Sequence, residues 1–203
     1  MTTDQSIFSY DLAGVVVGET AISDVQGETG LLSYRGIDIN DLVGVPYLHV
    51  VWLVLFGDWP DAQEKSRLKT FMCQHTQLSH SEIDLLQQVP RDLHPMLMLQ
   101  GLVPLLGLPQ EETLGVGRDA EHGLFLAAKI TALVAGHYRL SQSKAILPPV
   151  PGKLFHENFL HMFHGGTPTR EQVRMLDAAQ ILQMEHSFNA GTFAGRVCAS
   201  TLA

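Results

Sequence analysis

The feature that most constrains this chain is a train of helix breakers. From about residue 46 onward, apolar residues recur at three- and four-residue steps, and prolines and glycines interrupt them at intervals of ordinary helix length. Pro46 fits the first turn of a helix over about 46–56, and Gly57 can end it. The Asp58-Trp59-Pro60-Asp61 corner starts the next helix, with Glu64 and Lys65 exposed, and Ser81 followed by Asp84 reads as a capping box with a shortened acid. Pro95 opens a Met- and Leu-rich helix to about Gly107, which Pro104 should kink or end. The longest helix is predicted from about Arg118 to Arg139, because Leu124, Ala127, Ala128, Thr131 and Ala135 repeat on one face. Small residues there permit close packing. The stretch Leu147-Pro148-Pro149-Val150-Pro151-Gly152 cannot be helical, and a new periodic segment begins at Phe155.

Before residue 46 the pattern differs. Val15 to Val17 and Thr20 to Ile22 favour strand, Gly27 and Gly30 punctuate a turn, and Leu31 to Tyr34 forms a second short apolar run. The expected fold is therefore all-α, mainly helical from about residue 38, with a small N-terminal β-hairpin at about 12–36. All 203 residues are read as a single helical domain, since too few follow the Pro-rich stretch to build another.

Charge and composition exclude several partners. Net charge is −8, and the 13 Lys and Arg are scattered with no basic run to follow a phosphate backbone, so nucleic acid is not expected. The longest apolar stretch, Leu48 to Phe56, is interrupted by His49 and is far shorter than the roughly 20 residues a membrane span requires. Met1 to Ser6 carries Asp4 and no positive segment or apolar core, so no secretory signal is visible. Cys73 and Cys198 are far apart without a CxxC partner, which fits reduced thiols and a cytoplasmic location.

Ten histidines raise the question of a metal. His156, His161 and His164 could share a helix face, but no HExxH or carboxylate pairing accompanies them, and no metal site is expected. Gly115-Val116-Gly117 lacks the third glycine of a dinucleotide fingerprint, Gly165-Gly166 lacks a following Lys, and no GxSxG elbow occurs. No cofactor is expected either. The segment that stands out is Gln183-Met184-Glu185-His186-Ser187-Phe188-Asn189-Ala190-Gly191-Thr192-Phe193. If it continues as helix, residues 183, 186, 189 and 190 share a face and present an amide, an imidazole and a second amide. Such a row can hydrogen-bond an anionic, carbonyl-bearing ligand; the same spacing equally describes a hydrogen-bonded buried histidine.

At these residues the chain resembles the citrate synthase family. Leu182 to Val197 aligns without a gap to a motif of the form His-Ala-Asp-His-x-x-Asn-Ala-Ser-Thr-Phe-Thr-Ala-Arg-Val, with His186, Asn189, Thr192, Phe193, Arg196 and Val197 in agreement. Upstream, Ala13 to Val17, Glu19 to Ser23, Tyr34-Arg35-Gly36-Ile37, Phe56 to Pro60, His94-Pro95-Met96, Ala128-Lys129-Ile130, Asn158-Phe159-Leu160 and Leu176-Asp177 follow in family order. The resemblance thus covers nearly the whole chain. Gln183 stands where the family usually has its first histidine, Glu185 replaces Asp, Gly191 replaces Ser or Thr, and Gln100 takes the place of an Arg.

The resemblance implies condensation of acetyl-CoA, the family's co-substrate, with oxaloacetate, and it makes His186 and Asn189 oxaloacetate contacts. It also implies that the Gly-Pro-Leu-His-Gly-Gly segment, the Gly-His motif leading to Asp-Pro-Arg and the later aspartate base lie beyond Ala203. On that reading the 203 residues are the N-terminal portion of the family's chain, an incomplete domain with no complete catalytic set, inactive alone. Three organisations follow: a shortened synthase, one subunit of a split citrate or 2-methylcitrate synthase, or a non-catalytic helical interaction protein. The expected partners are a second copy of the chain or a complementary C-terminal half.

Overall fold

The computed structural model describes residue 16 and residues 18–201. Three short strands, β1 (Ser23–Gln26), β2 (Leu31–Tyr34) and β3 (Ile37–Asp38), form an antiparallel meander in the order β1-β2-β3. Its registers pair Ser23 with Tyr34 and Tyr34 with Ile37. The hairpin expectation is met by Leu31 to Tyr34, but its partner is Ser23 to Gln26 rather than Thr20 to Ile22, and a third strand follows. Val15 and Val17 lie outside the described residues. The third strand exists because Arg35 (φ 51°) and Gly36 (φ 78°) both take left-handed backbone and reverse the chain within two residues.

Everything after the sheet is helical or connecting: α1 (Ile39–Leu42), α2 (Tyr47–Phe56), α3 (Ala62–Thr76), α4 (His80–Gln88), α5 (Pro95–Leu102), α6 (Arg118–Ser141), α7 (Phe155–His164), α8 (Arg170–Leu182) and α9 (Ala190–Ser200), with one 3₁₀ turn at Val103–Leu105. The breakers act as their chemistry requires. Gly57 closes α2 in the left-handed conformation, and Asp61 with Glu64 makes a reciprocal capping box on α3. Pro104 ends α5 through the 3₁₀ turn. One cap differs from expectation: α4 begins two residues earlier, with Ser79 as cap and Glu82 as its acid, so Ser81 and Asp84 lie inside the helix. Glutamate wins because its longer side chain reaches back to the Ser79 N–H at 2.7 Å.

The long helix α6 organises the core. Leu124, Phe125 and Ala128 pack with Trp52, Leu68, Phe71 and Met72, whereas Ala132 and Leu133 pack with Leu86, Met98 and Leu102. A third cluster of Tyr34, Leu42, Val50, Leu53 and Ile181 joins the sheet to α2 and α8. The predicted small-residue face is buried at Leu124, Ala128 and Ala135 but not at Ala127, which is exposed. Approach is closest at Gly136, where a Cβ would fall 2.7 Å from a Leu86 methyl.

Polar groups drawn into this core are satisfied. The Glu121 carboxylate accepts from the Thr113 N–H (2.6 Å), the Thr113 hydroxyl (2.8 Å) and the Leu114 N–H (2.8 Å). Burial pushes its pKa up, but these hydrogen bonds outweigh it and hold the group below the usual carboxylate range. Buried Lys129 pairs with Glu82 at 2.7 Å and donates to the Gln77 carbonyl at 2.8 Å. No helix among the described residues is long and apolar enough to cross a membrane.

Candidate functional site

The segment Gln183–Asn189 is where sequence and structure part most clearly. Helix α8 starts on a Thr169–Gln172 capping box and buries Val173 and Ile181. It then stops at Leu182, so residues 183, 186, 189 and 190 do not form one helical face. The cause lies on β2. In a continuing helix the Ile181 carbonyl would accept from the Glu185 N–H. Instead the Tyr34 hydroxyl sits between them, donating to the Ile181 carbonyl at 2.8 Å and accepting from the Glu185 N–H at 3.3 Å. One helical hydrogen bond becomes a two-bond bridge. Tyr34 is fully buried, and that burial raises its pKa, keeping the hydroxyl protonated for this double role.

The bend beyond the bridge is held by Glu185. Its Oε1 accepts from the Ser23 hydroxyl at 3.1 Å and from the Ser187 N–H. Ser187 takes a left-handed φ of 71°, an unusual conformation for a residue with a side chain, and that turn redirects the chain. The Asn189 N–H then donates to the Ser187 carbonyl at 2.9 Å.

Asn189 is the N-cap of α9. Its Oδ1 accepts from the Thr192 N–H at 2.8 Å, which leaves its Nδ2 as the group available to a ligand. Gly191 leaves room for this cap, since a Cβ there would lie 3.3 Å from the Asn189 Oδ1. His186 is exposed on the bend and makes no hydrogen bond among the described residues. The buried-histidine alternative therefore does not describe it. Arg196 lies over the Phe188 ring, 5.0 Å from its centroid, tying α9 back to the bend.

The other histidines are engaged separately. His156 Nδ1 meets Asp177 Oδ1 at 2.5 Å, linking α7 to α8; His161 Nδ1 lies 3.1 Å from the Gly166 carbonyl, and His164 packs edge-on against Tyr138. Among the described residues, no group of three or more His, Cys, Asp or Glu is arranged to hold a metal ion.

A feature not foreseen from the sequence is a cavity of about 350 Å³ between α2, α3, α7 and α8, where Tyr47, Phe155, His156 and Asp177 come together. It adjoins a groove of about 900 Å³ along α8 that includes Arg170 and Arg174. Neither is lined by His186 or Asn189. Its lining comes from two helix pairs far apart in the chain, α2 with α3 and α7 with α8, and no pattern in the sequence pointed to it.

The family model described as "Citrate synthase, C-terminal domain" matches residues 11–203. A 2-methylcitrate synthase of Shewanella oneidensis is 30% identical over 204 residues, covering 100% of this chain and 54% of that protein. A citrate synthase of Acidithiobacillus ferridurans is 32% identical, covering 96% of this chain and 53% of its own length. The crystal structure of citrate synthase from Thermotoga maritima superimposes with a TM-score of 0.84 at 28% identity, over 97% of this chain and 52% of that one. The chain spans about half the length of these relatives.

Proposed function

The chain belongs to the citrate synthase family, and from that premise we propose that it contributes to the condensation of an acyl-CoA with oxaloacetate by holding oxaloacetate at the Gln183–Asn189 bend. The observation that carries this reading is the Tyr34 bridge, which breaks a helix and leaves His186 exposed. An imidazole presented in this way can donate to a carboxylate or carbonyl oxygen. The Nδ2 of Asn189, left over from capping, is the second donor. Acetyl-CoA is the acyl donor by analogy with relatives named citrate synthase, and relatives named 2-methylcitrate synthase make an acyl-CoA one carbon longer the competing one.

Condensation removes a methyl proton from the thioester, joins the resulting carbon to the oxaloacetate carbonyl and releases CoA by hydrolysis. The first step needs a carboxylate free to accept a proton beside a donor that stabilises the enolate oxygen. At the bend the neighbouring carboxylate is Glu185, whose Oε1 already accepts two hydrogen bonds. We therefore assign Glu185 to structure, and the 203 residues to one part of a citrate synthase-like domain that does not condense the substrates alone. The base comes from further residues, in a complementary half or a longer chain.

Association of copies fits the same reading, since Met96, Leu97 and Leu105 are exposed together around α5, at 64%, 53% and 60%. We assign the protein to the cytoplasm because Cys73 and Cys198 are both free thiols. The test is calorimetry with oxaloacetate on the 203-residue chain and on His186→Ala, beside an assay for CoA release. Millimolar binding, worth about 4 kcal/mol, that is lost in His186→Ala without a change in melting temperature supports the reading. Equal binding by both variants refutes it. Turnover by the isolated chain would refute the assignment of the base elsewhere.

A further inference from the structure

The cavity between α2, α3, α7 and α8 has walls and rim of different character. Its walls are aromatic: Tyr47 and Phe155 lie nearly parallel, with centroids 6.0 Å apart and planes 7° from each other, and the His156 ring is 4.3 Å from Tyr47. The carboxylate in its lining, Asp177, is bound to His156 at 2.5 Å. The rim is cationic. Lys65 and Lys69 both line it from α3, and Lys69 spends one N–H on the Gly152 carbonyl at 3.1 Å, which leaves two. The Lys65 ammonium makes no hydrogen bond or ion pair among the described residues.

Two further polar residues line this space. The hydroxyl of half-buried Tyr47 has no partner among the described residues. Burial, and then the Asp177 charge, raise its pKa, so it remains a neutral O–H donor. His49, also in the lining, has its pKa lowered by burial and then by Lys65. A volume of about 350 Å³ is within the usual range for small-molecule pockets.

We propose that this cavity is a binding site for a small monocarboxylate with a flat apolar body, whose ring stacks among Tyr47, Phe155 and His156 and whose carboxylate meets Lys65, Lys69 and the Tyr47 hydroxyl. A neutral apolar molecule would leave the cationic rim unmatched. A dicarboxylate such as oxaloacetate would place its second charge against aromatic walls and the Asp177 carboxylate, an unfavourable burial. The site is separate from the Gln183–Asn189 bend and does not depend on its function.

The experiment uses phenylacetate as probe on the whole chain, with phenylacetamide as its uncharged counterpart, followed by calorimetry and by NMR shifts of the Tyr47 ring. Saturable binding at submillimolar concentration is expected, weakened about tenfold in the amide. Lys65→Gln with Lys69→Gln should weaken phenylacetate by a similar factor while leaving the amide unchanged; both lysines are exposed, so the fold should tolerate the change. Tyr47→Phe keeps the ring and should lose severalfold. His186→Ala should bind phenylacetate as the parent does, and oxaloacetate should not compete. Absence of saturable binding, equal affinity for acid and amide, or displacement by oxaloacetate would each overturn the proposal.

Discussion

Helix α6 and helix α9 are both regular, yet they are held in opposite ways. Helix α6 buries residues along its whole length, from Glu121 and Leu124 through Leu133 to Arg139, and packs against α3, α4, α5 and α7. Helix α9 buries none of its residues among those described. Its position depends on the Asn189 cap, the Arg196–Phe188 contact and the bend that Tyr34 and Glu185 hold. Area buried decides the first helix, and a few directional hydrogen bonds decide the second. The candidate ligand groups sit at the second kind of structure, where a side chain can be exposed and still positioned.

The contrast breaks most visibly under truncation. Leu133 is 1% exposed, so Leu133→Ala should cost about 3 kcal/mol in chemical denaturation by leaving a cavity beside Ala132 and Leu86. Val197 is 49% exposed on α9, and Val197→Ala should cost less than about 0.5 kcal/mol. Comparable losses would mean that α9 is covered by something in solution, such as a second copy.

A buried carboxylate provides the next test. Replacing Glu121 by Gln presents an N–H₂ toward backbone donors that now meet an oxygen, at a cost of about 2 kcal/mol. The sign with pH follows from the depressed folded pKa. Stability from Glu121 is fully present above the ordinary glutamate value of about 4.3 and is lost as pH falls through the lower folded value. Glu82, also held low although its burial acts upward, through hydrogen bonds from Lys129 and the Ser79 N–H, adds to the same acid limb. Urea midpoints measured downward from pH 5 should fall more steeply for the parent than for Glu121→Gln; parallel curves would remove Glu121 from the account.

These regions also differ in how far they could be read from the sequence. Around α6 the information is local: Pro46, Gly57, the Asp61–Glu64 box and Pro95 each act on backbone within a turn of themselves, and the helix ends came out within a few residues. The Ser79 cap was missed because Ser81–Asp84 offered the same residue types two positions later. At the bend the deciding group is Tyr34, 147 positions from Ile181, and no spacing rule within Gln183–Phe193 could reveal that its hydroxyl interrupts the ladder. His186 and Asn189 could be named from the resemblance, but their surroundings depend on that long-range contact. The aromatic cavity likewise depended on contacts between distant helices.

A smaller effect tests the cap. Asn189→Ala removes the acceptor for the Thr192 N–H and should cost about 1 kcal/mol, seen as faster hydrogen exchange confined to α9. Protection unchanged at Thr192 would show that α9 is held by contacts other than its cap.

The smallest effect carries the most about function. Serine is as good an N-cap as asparagine, so Asn189→Ser should change the stability of α9 by no more than a few tenths of a kcal/mol. It removes only the Nδ2, the group that capping leaves unused. If that amide contacts oxaloacetate, Asn189→Ser should bind it several-fold more weakly while Thr192 exchange stays at the parent rate. If Asn189 only caps the helix, Ser restores everything that Ala removes, binding included. The pair of variants thus separates holding a helix from holding a ligand at one residue, because the two roles use different atoms of the same side chain.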